Sequence, residues 1–505
     1  MIPLLFLIAG QSTTWTFVID VNSRKPISPY IYGVNHPDWK GLGPGVTLAR
    51  QGGNRNSAYN WETNASNAGS DWQHQNDGYM GESDEAGLTM RRFLEDAQSH
   101  DAAAILTVPT TGHVAADKKA DGDVNKTPDY LNVRFHKSLA KKPSPYAYPP
   151  DTSDKFVYQD EFVAWIEKVK KPVAPLWFSL DNEPDLWGHT HQRIWPKNPT
   201  YAQIIANNIE YATAIKGVAP GTLVFGPANY GWQGFRTFQD ATDANGRDFL
   251  DTYLAAMKQA EAKAGKRLLD ALDIHWYPEA RGDGVRIASA QDKPGTPAAR
   301  IQAPRSLWDD TYVEDSWIAE NLGKKPITLL PRVMGQIEKH YPGTKLAITE
   351  YNYGGANHIS GALAQADVLG VFGRYGVFAA CNWGLNPKNT GELSGFKAFR
   401  DFDRKGATFG DLGLGISGET ASMNSAYAAL DGKNSNRLTI VAINKSSGRA
   451  NMRFRFAGFP AKKARSFTIE ASSLGAPATG NPRVTGNTLT ISVPGESVVT
   501  IELAK

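Results

Sequence analysis

Trp177-Phe178-Ser179-Leu180-Asp181-Asn182-Glu183-Pro184 is an apolar run that passes without transition into Asp-Asn-Glu and then a proline. A strand buried on both faces reads as a continuous apolar run, and polar residues at its end are groups delivered to the C-terminal mouth of a sheet. Pro184 has no N–H and biases Glu183 away from the helical region, so the strand is predicted to stop there, with Glu183 at the rim and Asn182 beside it. A second stretch ends the same way. Lys345-Leu346-Ala347-Ile348-Thr349-Glu350-Tyr351-Asn352-Tyr353-Gly354 puts Glu350 at the end of another short apolar strand.

Outward from these two strands the chain alternates. Phe162, Trp165, Ile166 and Val169 have helical spacing before the Glu183 strand. After it, Thr200 and Gln203 form a capping box for a helix reaching about 217. Strands are predicted at 222–227, 272–277 and 377–383, and helices at 249–264, 329–340 and 361–375. Upstream, 30–35, 45–55 and 102–108 read as strands, with Met90, Phe93, Leu94 and Ala97 on one helical face between the last two. Eight strands counted from Tyr30, with helices between most of them, predict a (β/α)₈ TIM barrel whose active site lies at the strands' C-terminal ends. Glu183 then ends strand four and Glu350 strand seven. An open doubly wound sheet is the alternative, since alternation does not prove closure. Two long loops, about 110–155 and 278–315, interrupt the pattern; the first reads as an irregular insertion.

After about residue 410 short alternating runs separated by Gly, Asn and Pro replace the βα pattern, which predicts a smaller antiparallel β-sandwich. The alternating strand 15–21 is expected to add to it. The domain reading is therefore 1–28 as an N-terminal segment that joins the sandwich, 29–410 as the barrel and 411–505 as the sandwich.

Composition narrows the function. With 54 Lys+Arg against 51 Asp+Glu and no long run of one sign, nothing suggests a nucleic-acid surface. No stretch is long and apolar enough to span a membrane. The apolar residues 2–10 resemble the core of a signal peptide without its basic start, so residues 1–12 read either as a signal remnant or as an artefact, and secretion is the expected localisation. A single cysteine, Cys381, excludes an internal disulfide. Thirteen tryptophans include Trp61, Trp72, Trp187, Trp195, Trp232, Trp308 and Trp383, all in polar, Gly- and Asn-rich surroundings. Exposed rings stack on the C–H faces of sugars, so these residues point to carbohydrate; core packing is the competing reading for each.

Glycosidic bond cleavage needs an acid on the leaving oxygen and a carboxylate on the other side of the sugar. Glu183 and Glu350 meet that need. The stretches 179–187 and 348–355, with Gly52-Gly53-Asn54-Arg55 and Tyr59-Asn60-Trp61-Glu62, resemble glycoside hydrolase family 44. That resemblance implies a retaining endo-β-1,4-glucanase acting on soluble cellulose derivatives, xyloglucan and, in some members, xylan. It implies Glu183 as acid/base, Glu350 as nucleophile and Asn182 as the partner of the sugar 2-hydroxyl. Tyr277 is placed to hold the Glu350 carboxylate, and His275, on the same strand face, serves either core support or substrate contact. Trp383 is a candidate floor for the sugar ring. Asn54 and Arg55 are candidates for binding sugar hydroxyls or bracing Glu350, and Trp61, Trp72 and Trp187 for sugar platforms.

No cofactor is expected for catalysis. Glu62, Asp151 and Asp154, with Ser153, are hard oxygen ligands that could hold a structural calcium, against the plainer reading of a solvated acidic turn. His189 and His191 lack a third ligand at a zinc spacing. The expected partner is a β-1,4-linked polysaccharide, the expected state a monomer. A xylanase or mannanase with the same two glutamates, a carbohydrate-binding barrel without turnover and, more remotely, a metallohydrolase are the alternatives.

Overall fold

In the computed structural model, which describes residues 13–505, eight parallel strands close into a barrel. In chain order they are Gly33–Asn35, Leu48–Gln51, Ala103–Val108, Leu176–Leu180, Val224–Asn229, Ala271–Trp276, Lys345–Tyr351 and Ala379–Asn382. Each lies in or beside a stretch the sequence marks as a strand. The eighth pairs with the first, Cys381 beside Gly33 and Asn382 beside Val34, so the sheet is closed and not open. The signal-like residues 1–12 lie outside the described residues.

The helices Leu88–Ser99, Gln159–Val169, Tyr201–Val218, Phe249–Ala264, Leu329–His340 and Ile359–Tyr375 wrap the barrel. The capping box at Thr200 forms as read, with Thr200 and Gln203 each bonding the other's backbone. Inside the barrel, Leu48, Ala103, Ile105, Trp177, Phe225, Ala271, Ala347, Ala379 and Cys381 form an apolar plug. Tyr30 meets Trp177 edge-on at 4.7 Å and Trp177 stacks on Phe225 at 5.5 Å within it. Towards the C-terminal ends the interior turns polar: Arg50, Asp273, His275 and Thr349 are wholly buried. Buried polar groups persist only when hydrogen-bonded, so this layer has to be a connected network.

One irregularity shapes that layer. Ile274 lies opposite Ile348, but His275 lies opposite Glu350, leaving Thr349 as an extra residue in the seventh strand. The bulge also shows against the eighth strand, where Ile348 faces Ala380 and Tyr351 faces Asn382. Such a bulge bends the strand and re-aims its side chains.

The second unit is a ten-stranded sheet. It is mixed and not purely antiparallel: Thr14–Pro26 runs antiparallel to Leu412–Ser417 but parallel to Ala450–Arg455. Phe17, Ile19 and Val21 alternate into its core, Phe17 stacking on Phe454 at 5.0 Å. The barrel helix Ile359–Tyr375 carries the sheet. Asp367 accepts a hydrogen bond from the Tyr427 hydroxyl at 2.6 Å and pairs with Lys445 Nζ at 2.7 Å, both charged side chains 1% exposed. The 110–155 insertion is more ordered than its composition suggests. His113–Ala115, Phe135–Leu139 and Phe156–Tyr158 make a three-stranded sheet, hidden from sequence because these strands are short and pair across long separations. Among the described residues, no helix is long and apolar enough to cross a membrane.

Candidate active site

Residues two apart on a strand share a face. Arg50 therefore stands inside the barrel above Leu48, and Asp273 and His275 above Ala271. Glu350 is delivered by the seventh strand immediately after its bulge. Glu183 comes differently: the fourth strand ends at Leu180, three residues earlier than the sequence reading has it. Asp181 (φ 66°) and Glu183 (φ 44°) both take left-handed backbone conformations that non-glycine residues rarely adopt. The turn is held from several sides. Asp181 accepts from the N–H groups of Asn182 (2.8 Å) and Thr110 (2.5 Å), and Glu183 N–H donates to the Ala228 carbonyl (2.9 Å). Pro184 opens the short helical turn that follows.

These elements bring the two glutamates together. An oxygen of Glu183, a ring nitrogen of His275 and an oxygen of Glu350 all lie within 4.8 Å of one another. Arg50 donates to Glu350 Oε1 at 2.7 Å and the Tyr277 hydroxyl donates to Oε2, also at 2.7 Å. Arg50 also donates to Asn35 Oδ1 (3.1 Å) and Asn182 Oδ1 (2.9 Å). Asn182 Oδ1 takes a further N–H from Gly53 at 3.2 Å, which leaves its amide nitrogen for the cleft. The environments of the glutamates differ. Burial, the Glu350 charge and the Asp185 charge drive the Glu183 pKa well above the carboxylate range. Burial also raises that of Glu350, but the Arg50 charge and the Tyr277 hydrogen bond oppose it. The arrangement pairs a retained proton on Glu183 with a charge-supported Glu350.

The glutamates line a cleft of about 930 Å³ together with Asn54, Asp71, Trp72, Tyr79, Asn182, Tyr277 and Trp383. Trp72 is 57% and Tyr79 77% exposed. Beyond Tyr230 and Tyr277, which border both, a second groove of about 540 Å³ runs past Trp232 and Trp317. The trough thus continues on both sides of the carboxylates.

The structure relocates several sequence candidates. Trp61 is a core residue, 1% exposed against Phe162 and Trp165, because its polar-looking loop folds down onto a helix of the barrel. Trp187 is also buried. It packs on Trp195, and its indole N–H donates to the Asn182 carbonyl at 3.3 Å, so it supports the site from behind. Arg55 does not brace Glu350: it binds Asp77 at 2.5 Å and lies over the Tyr79 ring at 4.2 Å. Arg50 fills that role, and an arginine amid the apolar residues 45–50 was the sequence signal for it. Asn54 lines the cleft and donates to Asp71 at 2.8 Å. His275 is wholly buried beneath the cleft, its Nδ1 2.8 Å from Glu183 Oε1, which places it behind Glu183 and out of the cleft itself.

Of the calcium candidates, Glu62 is buried, Asp154 half-buried and Asp151 exposed. Burial first, then the Asp154 and Glu161 charges, push Glu62 up to about 8. Asp151 accepts from Ser153 N–H and Oγ, and Asp154 from Phe156 N–H, as in acidic turns. Among the described residues only Glu183, His275 and Glu350 bring three ligand-type atoms within 4.8 Å of each other, so these three carboxylates do not converge to that distance.

Comparison with known proteins gives a consistent picture. The family model described as Glycoside hydrolase family 44 matches residues 65–280. Endoglucanase A of Paenibacillus lautus is 37% identical over 464 residues, 88% of this chain and 66% of its own length. A second curated relative is also 37% identical, and the chain spans only 37% of it. The crystal structure of a family 44 endoglucanase from Clostridium thermocellum superposes with a TM-score of 0.91 at 39% identity, covering 97% of this chain and all of that one. A Paenibacillus polymyxa xyloglucanase solved with xyloglucan gives 0.92 at 36%, covering 98% and 100%.

Proposed function

The chain belongs to glycoside hydrolase family 44, and on that premise we propose that it is a retaining endo-β-1,4-glucanase that cuts soluble glucans, xyloglucan among them. The observation that carries this reading is the carboxylate pair, with oxygens of Glu183 and Glu350 within 4.8 Å of each other. Retaining enzymes hold the pair ~5–5.5 Å apart, whereas inverting enzymes need ~6.5–9.5 Å to admit a water. In the first half-reaction Glu350 attacks the anomeric carbon as Glu183 gives its proton to the leaving oxygen. In the second, Glu183 takes a proton from water, whose oxygen displaces Glu350 and restores both groups. Asn182, its oxygen side tied to Arg50 and Gly53, presents its N–H₂ to the 2-hydroxyl, an interaction that strengthens as the oxocarbenium ion forms. Two carboxylates suffice for this sequence without a cofactor. A trough open on both sides of the pair supports cleavage inside a chain.

The test is reducing-sugar release from carboxymethylcellulose, xyloglucan, xylan and glucomannan, with anomeric NMR of the first product. Wild type runs beside Glu183→Gln and Glu350→Gln. β-Anomeric product from the glucans, lost in both variants, supports the reading. Activity confined to xylan or mannan keeps the mechanism and replaces the substrate, and sugar binding without turnover in wild type removes the enzyme altogether.

The reading extends to a monomer acting outside the cell, where its polymeric substrate lies; cell fractionation and light scattering test this. It also extends to a calcium ion at Glu62 with Asp151 and Asp154, supported by the burial and the neighbouring Asp154, Glu161 and Asp151 charges that push Glu62 up to about 8 and that a bound cation would offset. A melting temperature that rises with calcium and falls with chelator is the expected result, and one indifferent to both removes the ion.

A further inference from the structure

Asp273, Thr349, His275 and Glu183 form one hydrogen-bond chain from the barrel interior to the cleft. Thr349 N–H donates to Asp273 Oδ1 at 3.2 Å and its hydroxyl to Oδ2 at 2.8 Å. His275 Nε2 lies 3.3 Å from Thr349 Oγ1, and His275 Nδ1 lies 2.8 Å from Glu183 Oε1. Asp273, Thr349 and His275 are wholly buried, so the protein alone fixes their protons.

The protons can be assigned in order. Burial pushes the Asp273 pKa up to about 6, with the Arg50 charge and both Thr349 hydrogen bonds opposing, so at neutral pH it is an anion that only accepts. The single hydroxyl proton of Thr349 goes to Asp273, which leaves Thr349 Oγ1 to accept from His275 Nε2–H. Burial, then the Arg50 charge, hold the His275 pKa well below its ordinary value, so the ring is neutral and carries one proton. With that proton on Nε2, Nδ1 is a bare lone pair facing Glu183. The 2.8 Å contact is then a hydrogen bond only when Glu183 supplies the proton.

We propose that Asp273 and Thr349 are positioning residues which fix His275 as its Nε2–H tautomer, so that Nδ1 accepts from Glu183 and keeps it in the acid form needed for the first half-reaction. The inference rests on the acid/base reading of Glu183. Its consequence for the second half-reaction has the same sign. Once Glu183 has given its proton away, its carboxylate faces a lone pair and takes a proton from water more readily.

The other groups facing the chain stay in place in the variants used to test it. Around Glu183 they are Glu350, Asp185, Asp71 and Arg50, with the phenols of Tyr230 and Tyr277. Around His275 they are Arg50 and Glu350, whose Oε2 lies 3.6 Å from Nδ1. Around Asp273 they are Arg50, Glu350, Cys381 and Tyr253.

The first measurement is made on the wild-type protein: ¹⁵N-histidine NMR, with the His275 signals among its ten histidines assigned by their loss in His275→Gln. A bare Nδ1 and a protonated Nε2 are expected; a proton on Nδ1 overturns the proposal. The second is the pH profile of kcat/KM. In Asp273→Asn the side-chain oxygen keeps the Thr349 N–H and the new NH₂ faces Thr349 Oγ1. That reverses the chain, so Nδ1–H donates to Glu183 and favours its carboxylate. The alkaline limb should move to lower pH by about one unit, roughly a tenfold loss of activity above it. Thr349→Val, which removes the hydroxyl, should also move the limb, and Thr349→Ser should restore it. An unmoved limb in folded Asp273→Asn overturns the proposal. Failure of azide to rescue Glu183→Ala would instead remove the acid/base reading, while the histidine tautomer would still report on the chain itself.

Discussion

Replacing Tyr277 by Phe removes a single oxygen from the site and leaves the ring in place. That hydroxyl donates to Glu350 Oε2 at 2.7 Å, and burial together with the neighbouring glutamates keeps the phenol protonated well above its usual range. A hydrogen bond to a charged group contributes about 1.5–3 kcal/mol. At about 1.36 kcal/mol per pKa unit, its loss should raise the Glu350 pKa by about one to two units. The sign follows from the role. In the proposed mechanism Glu350 must be ionised to attack, so a raised pKa moves the acid limb of the pH–rate profile towards neutrality and narrows the bell. Arg50 still holds Oε1, so activity on the plateau should survive in part. The assay is kcat/KM on a soluble glucan between about pH 3 and 9, with thermal melts to confirm folding. An acid limb coincident with that of the wild type, in a protein of unchanged stability, would refute the claim that Tyr277 sets the nucleophile's charge.

Three further outcomes are expected. Arg50→Lys should lower kcat by about a hundredfold, because one ammonium cannot replace a planar fork that serves Glu350, Asn182 and Asn35 together; kinetics with melting curves check it, and near-wild-type kcat would refute it. Trp72→Ala should raise KM on polymer with a stability change within about 0.5 kcal/mol, whereas Trp61→Ala should destabilise by about 3–5 kcal/mol with KM unchanged; denaturant titration and steady-state kinetics separate the pair. In Glu183→Gln the melting temperature should gain on the wild type as pH rises from about 5 to 8. The native state keeps the Glu183 proton above the unfolded carboxyl value of about 4.3, so wild-type stability declines with rising pH until the native pKa is passed. A gap that shrinks over this range would mean Glu183 is ionised in the folded protein.

The barrel was legible because its strands are buried on both faces and so appear as unbroken apolar runs between helical periodicities. The glutamates were legible because each interrupts such a run. What escaped has physical reasons. Trp61 and Trp72 sit in equally polar segments, and only the fold shows that one loop turns inward onto Phe162 and Trp165 while the other stays open to solvent. Strict alternation sends Thr349 and Glu350 to opposite faces. The bulge, set by pairing with a strand some seventy residues away, brings both to the site. The turn at Glu183 depends on Thr110 and Ala228, partners that no local pattern around residue 183 announces.

The strand Thr14–Pro26 sits between Leu412–Ser417 and Ala450–Arg455. On the ribosome this gives it a long wait. At about 5–20 residues per second, the nearly four hundred residues before its first partner take roughly 20–80 s to emerge. Through that time the whole barrel can form while Phe17, Ile19 and Val21 remain without a core and both edges of the strand are open to other chains. Slower translation or crowded polysomes should therefore penalise this protein through this one strand, and a chaperone that shields apolar strands should raise its yield more than one acting on the finished barrel.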